Sequence, residues 1–205
     1  MFSVLGLFDR AYVINRDEDT DRMTLTSHRL AKVGIPFQRF PAKCFAERGN
    51  YRWAGMRGAN ASHLAIVQEA ACQGLASVLI MEDDVIFRDN FCELWSKIVN
   101  KLATTDYDIF YGYNWRNKSR YCTDIDVIPI ESTLCVHFWV IKSSFYNTFK
   151  EVTLKNDSTL RPKCIDTLFT NQLARIYAPT YNLVGQDQGI STVMGNGPRK
   201  LRWSA

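Results

Sequence analysis

The feature that most constrains this sequence is an apolar run, Ser77-Val-Leu-Ile-Met81, that passes directly into three consecutive carboxylates, Glu82-Asp83-Asp84. A run this short and apolar reads as a strand covered on both faces, the sequence signature of a parallel sheet. Open α/β sheets bind ligands beyond the carboxyl ends of their strands, so the triplet stands where such a fold places its chemistry. Three adjacent carboxylates repel one another and resist desolvation unless a cation compensates them. Because side chains alternate along a strand, Glu82 and Asp84 share one side and Asp83 faces the other. Hard oxygen ligands of this kind select Mg²⁺ or Mn²⁺ over zinc. The structural alternative is a solvated turn that caps the following helix.

The flanking segments supply the rest of an α/β architecture. Ala11-Tyr-Val-Ile-Asn15 predicts a first strand, and the acidic stretch from Arg16 to Arg22 opens a helix with Met23, Leu30 and Val33 inward. That helix ends at Gly34, with Pro36 beyond it, and a second strand follows over 36–40. Lys43 to Arg57 lacks a clean period and reads as a long loop. A helix beginning near Gly58 carries Leu64, Ile66, Val67, Ala70 and Ala71 at helical spacing and is capped by Gly74. After the acidic triplet come a helix with Phe91, Leu94, Trp95, Ile98 and Val99 inward and a strand over 107–111, giving a doubly wound order. Beyond Gly112, segments 125–130 and 134–141 read as neighbouring strands, followed by short helices over 143–152 and 165–173, so the second half is α+β in flavour.

Composition narrows the function classes. With 205 residues, 46% hydrophobic and 22% charged, the chain can bury a single core, and global disorder is excluded. No apolar run approaches the ~20 residues of a membrane helix. Met1 to Phe8 lacks the basic start of a secretory signal, which points to a cytoplasmic protein. A net charge of +4 favours anionic small molecules only mildly and falls well short of a dedicated nucleic-acid binder. The six cysteines, at 44, 72, 92, 122, 135 and 164, form no Cys-x-x-Cys and no zinc pattern; reduced, buried thiols are expected. With no linker or repeat, residues 1–205 read as one domain with a loose tail over 193–205.

Further candidates lie near the same sheet edge. Asn15-Arg16 and Asp21-Arg22 end the first strand and begin its helix, and two arginines beside a metal suit a diphosphate; ordinary surface charges are the alternative. Gly58-Ala-Asn-Ala-Ser62-His63 places small residues at a predicted helix start, where free N–H groups accept a phosphate or a ribose hydroxyl. His137 sits in an apolar strand, either as a ligand or as a satisfied core histidine.

In order and spacing, Tyr12-Val-Ile-Asn15 with Asp21-Arg22, Arg39-Phe-Pro-Ala42, Gly58 with Ser62-His63-Leu64, and Leu79-Ile-Met-Glu-Asp-Asp-Val85 resemble glycosyltransferase family 25. The likeness continues through His137-Phe-Trp-Val-Ile141, Ile165-Asp166 and Pro179…Gln186, covering about residues 10–192. The resemblance implies a GT-A-type, Rossmann-like nucleotide-sugar-binding fold whose mostly parallel central sheet is flanked by helices. It divides the chain into a nucleotide-sugar and metal half over about 10–112 and an acceptor half over about 113–192. It further implies a UDP-sugar donor, typically UDP-galactose, and inverting transfer to a glycan or lipid-linked saccharide in surface polysaccharide assembly. Asn15, Arg16, Asp21, Arg22, Ala42, Gly58, Ser62, His63 and Asp83 fall on the donor side. Glu82 and Asp84, with His137, are the candidate ligands of Mn²⁺ or Mg²⁺, and Asp166 is the candidate general base, with Glu131 or Asp187 as alternatives. A lipid-linked acceptor would bring the chain to the inner face of a membrane. Competing readings are metal-dependent phosphoryl or nucleotidyl transfer, and RNA binding through the aromatic and cationic stretch Tyr111–Tyr121. The same aromatics would stack on an acceptor sugar, Trp115 foremost.

Overall fold

The computed structural model describes residues 6–45, 51–116, 124–134, 136–159 and 161–187. The tail over 193–205 and the stretch 117–121 lie outside the described residues. A seven-stranded sheet runs in the order β2 (Gln38–Pro41), β1 (Arg10–Asn15), β3 (Ser77–Glu82), β7 (Phe138–Lys142), β5 (Ile109–Tyr111), β8 (Ile176–Pro179), β6 (Val127–Pro129). β1 pairs in parallel with β2 and β3, and β5 with β8, while β7 is antiparallel to both β3 and β5. β6 is antiparallel to β8, so five of the seven strands share one direction. This is the expected mostly parallel sheet with helices on both faces.

Alternation along the strands splits the core into two layers. Val13, Leu79, Met81, Phe110, Phe138 and Val140 face α1 (Thr20–Val33) and α3 (Phe91–Leu102), whose Leu30, Phe91, Leu94, Trp95 and Ile98 fill that side. Tyr12, Ile14, Ile80, Trp139 and Ile141 face α2 (Tyr51–Cys72), α4 (Tyr146–Asp157) and the single-turn α5 (Ile165–Leu168). Both glycine stops act as read from the sequence. Gly34 (φ 71°) and Gly74 (φ 67°) adopt the left-handed conformation, and Ile35 and Leu75 donate back to Leu30 and Ala70, closing each helix. Among the described residues no helix is long and apolar enough to cross a membrane.

Three expectations are corrected. The helix read from Gly58 starts at Tyr51, so Gly58 lies within it; a Cβ there would stand 2.5 Å from the Lys43 carbonyl oxygen, and the glycine exists for that close approach. The strands around 125–130 and 134–141 are not neighbours. β7 is apolar on both faces and is inserted at the centre, whereas β6 exposes Ile128 and carries Pro129, which suits an edge. The buried-thiol expectation also fails for Cys44, Cys72 and Cys92, which are exposed and free, while Cys164 is free and half-buried.

A second, two-stranded sheet decides the position of the last described segment. β4 (Val85–Phe87) pairs antiparallel with β9 (Val184–Gln186) in a register that sets Gln186 opposite Val85. Through it, residues 184–187 reach the end of β3.

Candidate active site

The carboxyl ends of β1, β3 and β5 meet the amino end of the reversed β7, and the buried Asn15, His63, Asp83 and His137 stand around that edge. β3 carries Glu82, and a turn follows in which Asp83 is buried while Glu82 and Asp84 keep 30% and 15% of their side chains exposed. The alternation read from the sequence therefore holds: two carboxylates reach the opening and the third points into the fold.

Asp83 is the anchor of the turn. Its Oδ2 accepts from Asn15 Nδ2 at 2.7 Å, and its Oδ1 pairs closely with the Arg22 guanidinium, which also lies 3.6 Å from Asp84. The Asp83 main-chain carbonyl accepts from the buried Thr26 hydroxyl at 2.6 Å. Asn15 in turn donates to the Asp19 carbonyl and accepts from Arg39 Nε at 2.9 Å, so its carboxamide is committed to holding the turn. Burial raises the Asp83 carboxyl despite these partners, which is the cost of seating it inside.

The other two carboxylates differ. Burial opposes ionisation of Glu82, but the His63 contact and the Arg22 charge hold its carboxyl below the ordinary value. Burial and the neighbouring Glu82 charge push Asp84 up to about 7. Asp84 Oδ2 accepts from Gln186 Nε2 at 2.8 Å, and the Asp187 amide donates to the Asp84 carbonyl at 2.8 Å. Asp84 Oδ1 is buried without a hydrogen-bond partner among the described residues.

That oxygen is what a hard cation would complete. Among the described residues no three His, Cys, Asp or Glu side chains converge into a ready cage, so Glu82, Asp84 and His137 do not stand together as a preformed ligand set. The His137 ring is fully buried and packs on Tyr113 with centroids 5.3 Å apart, although its carbonyl accepts from the Glu82 amide. The remaining donors still suit Mg²⁺ or Mn²⁺, which bind through one or two carboxylates and take further oxygens from water and substrate phosphates.

The other predicted residues divide. Asp166 lies in the first turn of α5, two residues beyond its N-cap, Cys164. Burial raises both the Tyr111 hydroxyl and the Cys164 thiol, with the Asp166 charge adding to each and the Glu82 charge adding to Cys164. The Asp166 charge is thus felt at Tyr111, the last residue of β5. Ala42 continues the β1–β2 ladder through its amide to the Asn15 carbonyl. Arg16 pairs with Glu18 in its own loop, and Asp21 is exposed on α1. Gly58 and Ser62 are mid-helix, not at a helix start, and the Ser62 hydroxyl is spent on the Gly58 carbonyl and the Lys43 amide. His63 bonds to protein on both sides, to Trp139 and to Glu82. Glu131 is exposed and pairs with Arg116, and Asp187 pairs with Arg29. Sequence reasoning gave no role to Thr26, Arg39, Trp139 or Gln186, because each acts through a partner far away in the chain. Beside the turn, a depression of about 360 Å³ is lined by Thr20, Met23, Thr24 and Ser27 of α1 and by Asn15, Asp17 and Arg39.

The sequence model of glycosyltransferase family 25 (LPS biosynthesis protein) matches residues 54–162, more than half of the chain and the stretch that carries the acidic triplet. The chain belongs to glycosyltransferase family 25. No curated protein sequence matches it. Among solved structures, this family 25 chain is similar to a glycosyltransferase involved in the glycosylation of the major capsid of PBCV-1, at 13% identity and TM-score 0.39, over 74% of this chain and 68% of that one. It is also similar to the A197 protein from STIV, at 16% identity and TM-score 0.45, over 86% and 83% of the two chains. As a family 25 member the protein is a glycosyltransferase, which sets aside the phosphoryl-transfer and RNA-binding readings. Glycosyl transfer requires a sugar donor and a glycan acceptor.

Proposed function

We propose that this family 25 enzyme transfers a hexose, galactose in the first instance, from a UDP-sugar to a hydroxyl of a surface-glycan acceptor with inversion, assisted by Mn²⁺ or Mg²⁺ at Glu82 and Asp84. The observation that carries the proposal is the buried, unpartnered Asp84 Oδ1 beside Glu82 at the carboxyl end of β3. When bound, a divalent cation supplies charge stabilisation for a departing diphosphate, an effect worth several kcal/mol in metal-assisted transfer.

The chain's own residues would act around that centre. Asp83, Asn15 and Arg22 hold the acidic turn in one geometry, which is the preorganisation that makes a charged site effective. Gln186 orients Asp84 so that Oδ2 is committed while Oδ1 is left without a hydrogen bond among the described residues. The depression along α1 is of a volume that small-molecule sites occupy, and its hydroxyls, Asp17 and Arg39 offer hydrogen bonds to the nucleoside. Asp166 takes the acceptor proton, a step worth roughly 10²–10⁴ in rate for a placed general base. Trp115, 39% exposed beyond Tyr113, provides an apolar face for the acceptor sugar.

The test is thermal stabilisation by UDP-, GDP-, ADP- and CMP-sugars, each with and without Mn²⁺. The expected result is a rise in melting temperature with UDP-sugars that requires the metal and disappears in Asp84→Ala. A rise that survives Asp84→Ala removes the carboxylate from the donor site, and turnover of Asp166→Asn at the wild-type rate removes the proposed base.

A further inference from the structure

A buried line of side chains reaches the acidic turn from the opposite layer of the core. His63 on α2 is fully buried, and so is Trp139 in β7. Their rings lie 5.6 Å apart between centroids, and the Trp139 indole N–H donates to His63 Nδ1 at 3.2 Å. An indole nitrogen can only donate, so Nδ1 must accept and cannot carry a proton. An imidazolium would set two N–H groups against each other. The single ring proton is thereby left on Nε2, which lies 3.5 Å from Glu82 Oε1, at the outer reach of such a bond.

We propose that Trp139 fixes the Nε2–H tautomer of His63, and that His63 is a positioning residue that presents this N–H to Glu82 and sets where its carboxylate stands. The value of that placement rests on Glu82 belonging to the catalytic centre, as proposed above; the tautomer itself does not. The logic is that of metal sites, where the bond made by one imidazole nitrogen dictates what the other offers. It also accounts for His63, read from the sequence as a donor-side residue, being buried with Trp139 where neither can touch a soluble ligand. Glu82 is otherwise the least tethered of the three carboxylates, since Asp83 has Asn15 and Arg22 and Asp84 has Gln186.

The test begins with a long-range ¹H–¹⁵N spectrum of the full chain, with the His63 signals identified by their loss in His63→Gln. An unprotonated Nδ1 and a protonated Nε2 are expected, whereas a protonated Nδ1 or a doubly protonated ring overturns the proposal. In Trp139→Phe, which keeps an aromatic ring and removes the donor, the two tautomers should mix and the Glu82 carboxyl ¹³C resonance should move. A Glu82 resonance that stays in place overturns the positioning role. Should Trp139→Phe fail to fold, the same resonance in His63→Gln decides the point. Binding of Mn²⁺, followed by the electron paramagnetic resonance of the free ion, should be roughly 10-fold weaker in Trp139→Phe. Equal affinity in the two proteins overturns the coupling to the cation. Absence of Mn²⁺ binding in the wild type overturns the cation reading instead, and the carboxyl resonance still decides whether His63 positions Glu82.

Discussion

Asp84 is held in a setting that disfavours its charge. Its carboxyl is pushed up to about 7 by burial and by Glu82, from an ordinary value of 3.8. Between roughly pH 4 and pH 7 the native state keeps a proton that the unfolded chain has released, so Asp84 stabilises the fold fully below that window and the contribution is lost as pH rises through 7. Replacing the carboxylate with a neutral amide should therefore stabilise the metal-free protein where Asp84 would be ionised. Asp84→Asn is expected to raise the melting temperature by roughly 5 °C at pH 8, from a few kcal/mol of relieved strain, and to leave it unchanged at pH 4. Calorimetric melts in a chelating buffer at the two pH values check this, and equal melting temperatures at pH 8 would show that the charge is compensated within the chain. Much of this was legible from the residues: the run ending at Met81 and the alternation of Glu82, Asp83 and Asp84 already set two carboxylates outward and one inward. What could not be read was their partners. Gln186 lies 102 residues from Asp84, and Trp139 lies 76 from His63. Nothing local in the sequence marks such pairs.

At the level of elements, the helices were readable where a terminator with a mechanism was present. Gly34 and Gly74 end α1 and α2 as their left-handed conformations require. The start of α2 was not readable, because Gly58 suggests a boundary in sequence while serving as a contact point in space. In isolation, glycine to alanine within a helix gains about 0.5–1 kcal/mol. Here the added methyl would meet the Lys43 carbonyl oxygen at 2.5 Å, and that atom is main chain that cannot swing aside. Gly58→Ala is therefore expected to destabilise the protein by about 1–3 kcal/mol, the usual cost of overpacking. Urea denaturation would measure it, and a gain in stability would show that the segment over 43–45 yields freely. Strand adjacency failed for a related reason: the apolar character of 134–141 was visible, but whether such a run pairs with the preceding strand or enters the sheet elsewhere depends on edges that other segments leave open.

On the scale of the whole molecule, the separation into a donor part and an acceptor part describes the order of the chain better than its shape. β7, from the second half, is the strand that joins β3 to β5, so neither half closes the sheet alone. The two-stranded sheet repeats the pattern, with residues 184–187 returning to brace the turn that begins at Asp83. A fragment ending at residue 116 should therefore fail to give a stable monomer although it contains the whole acidic triplet. Expression of 1–116 is expected to yield aggregated material, and a monodisperse, cooperatively melting fragment would contradict this. The same insertion has a consequence for synthesis on the ribosome. β3 leaves the exit tunnel some sixty residues ahead of the strand that covers it, between Glu82 and Lys142. At elongation rates of about 5–20 residues per second, that apolar edge waits several seconds for its partner, an interval in which chaperone capture competes with self-association.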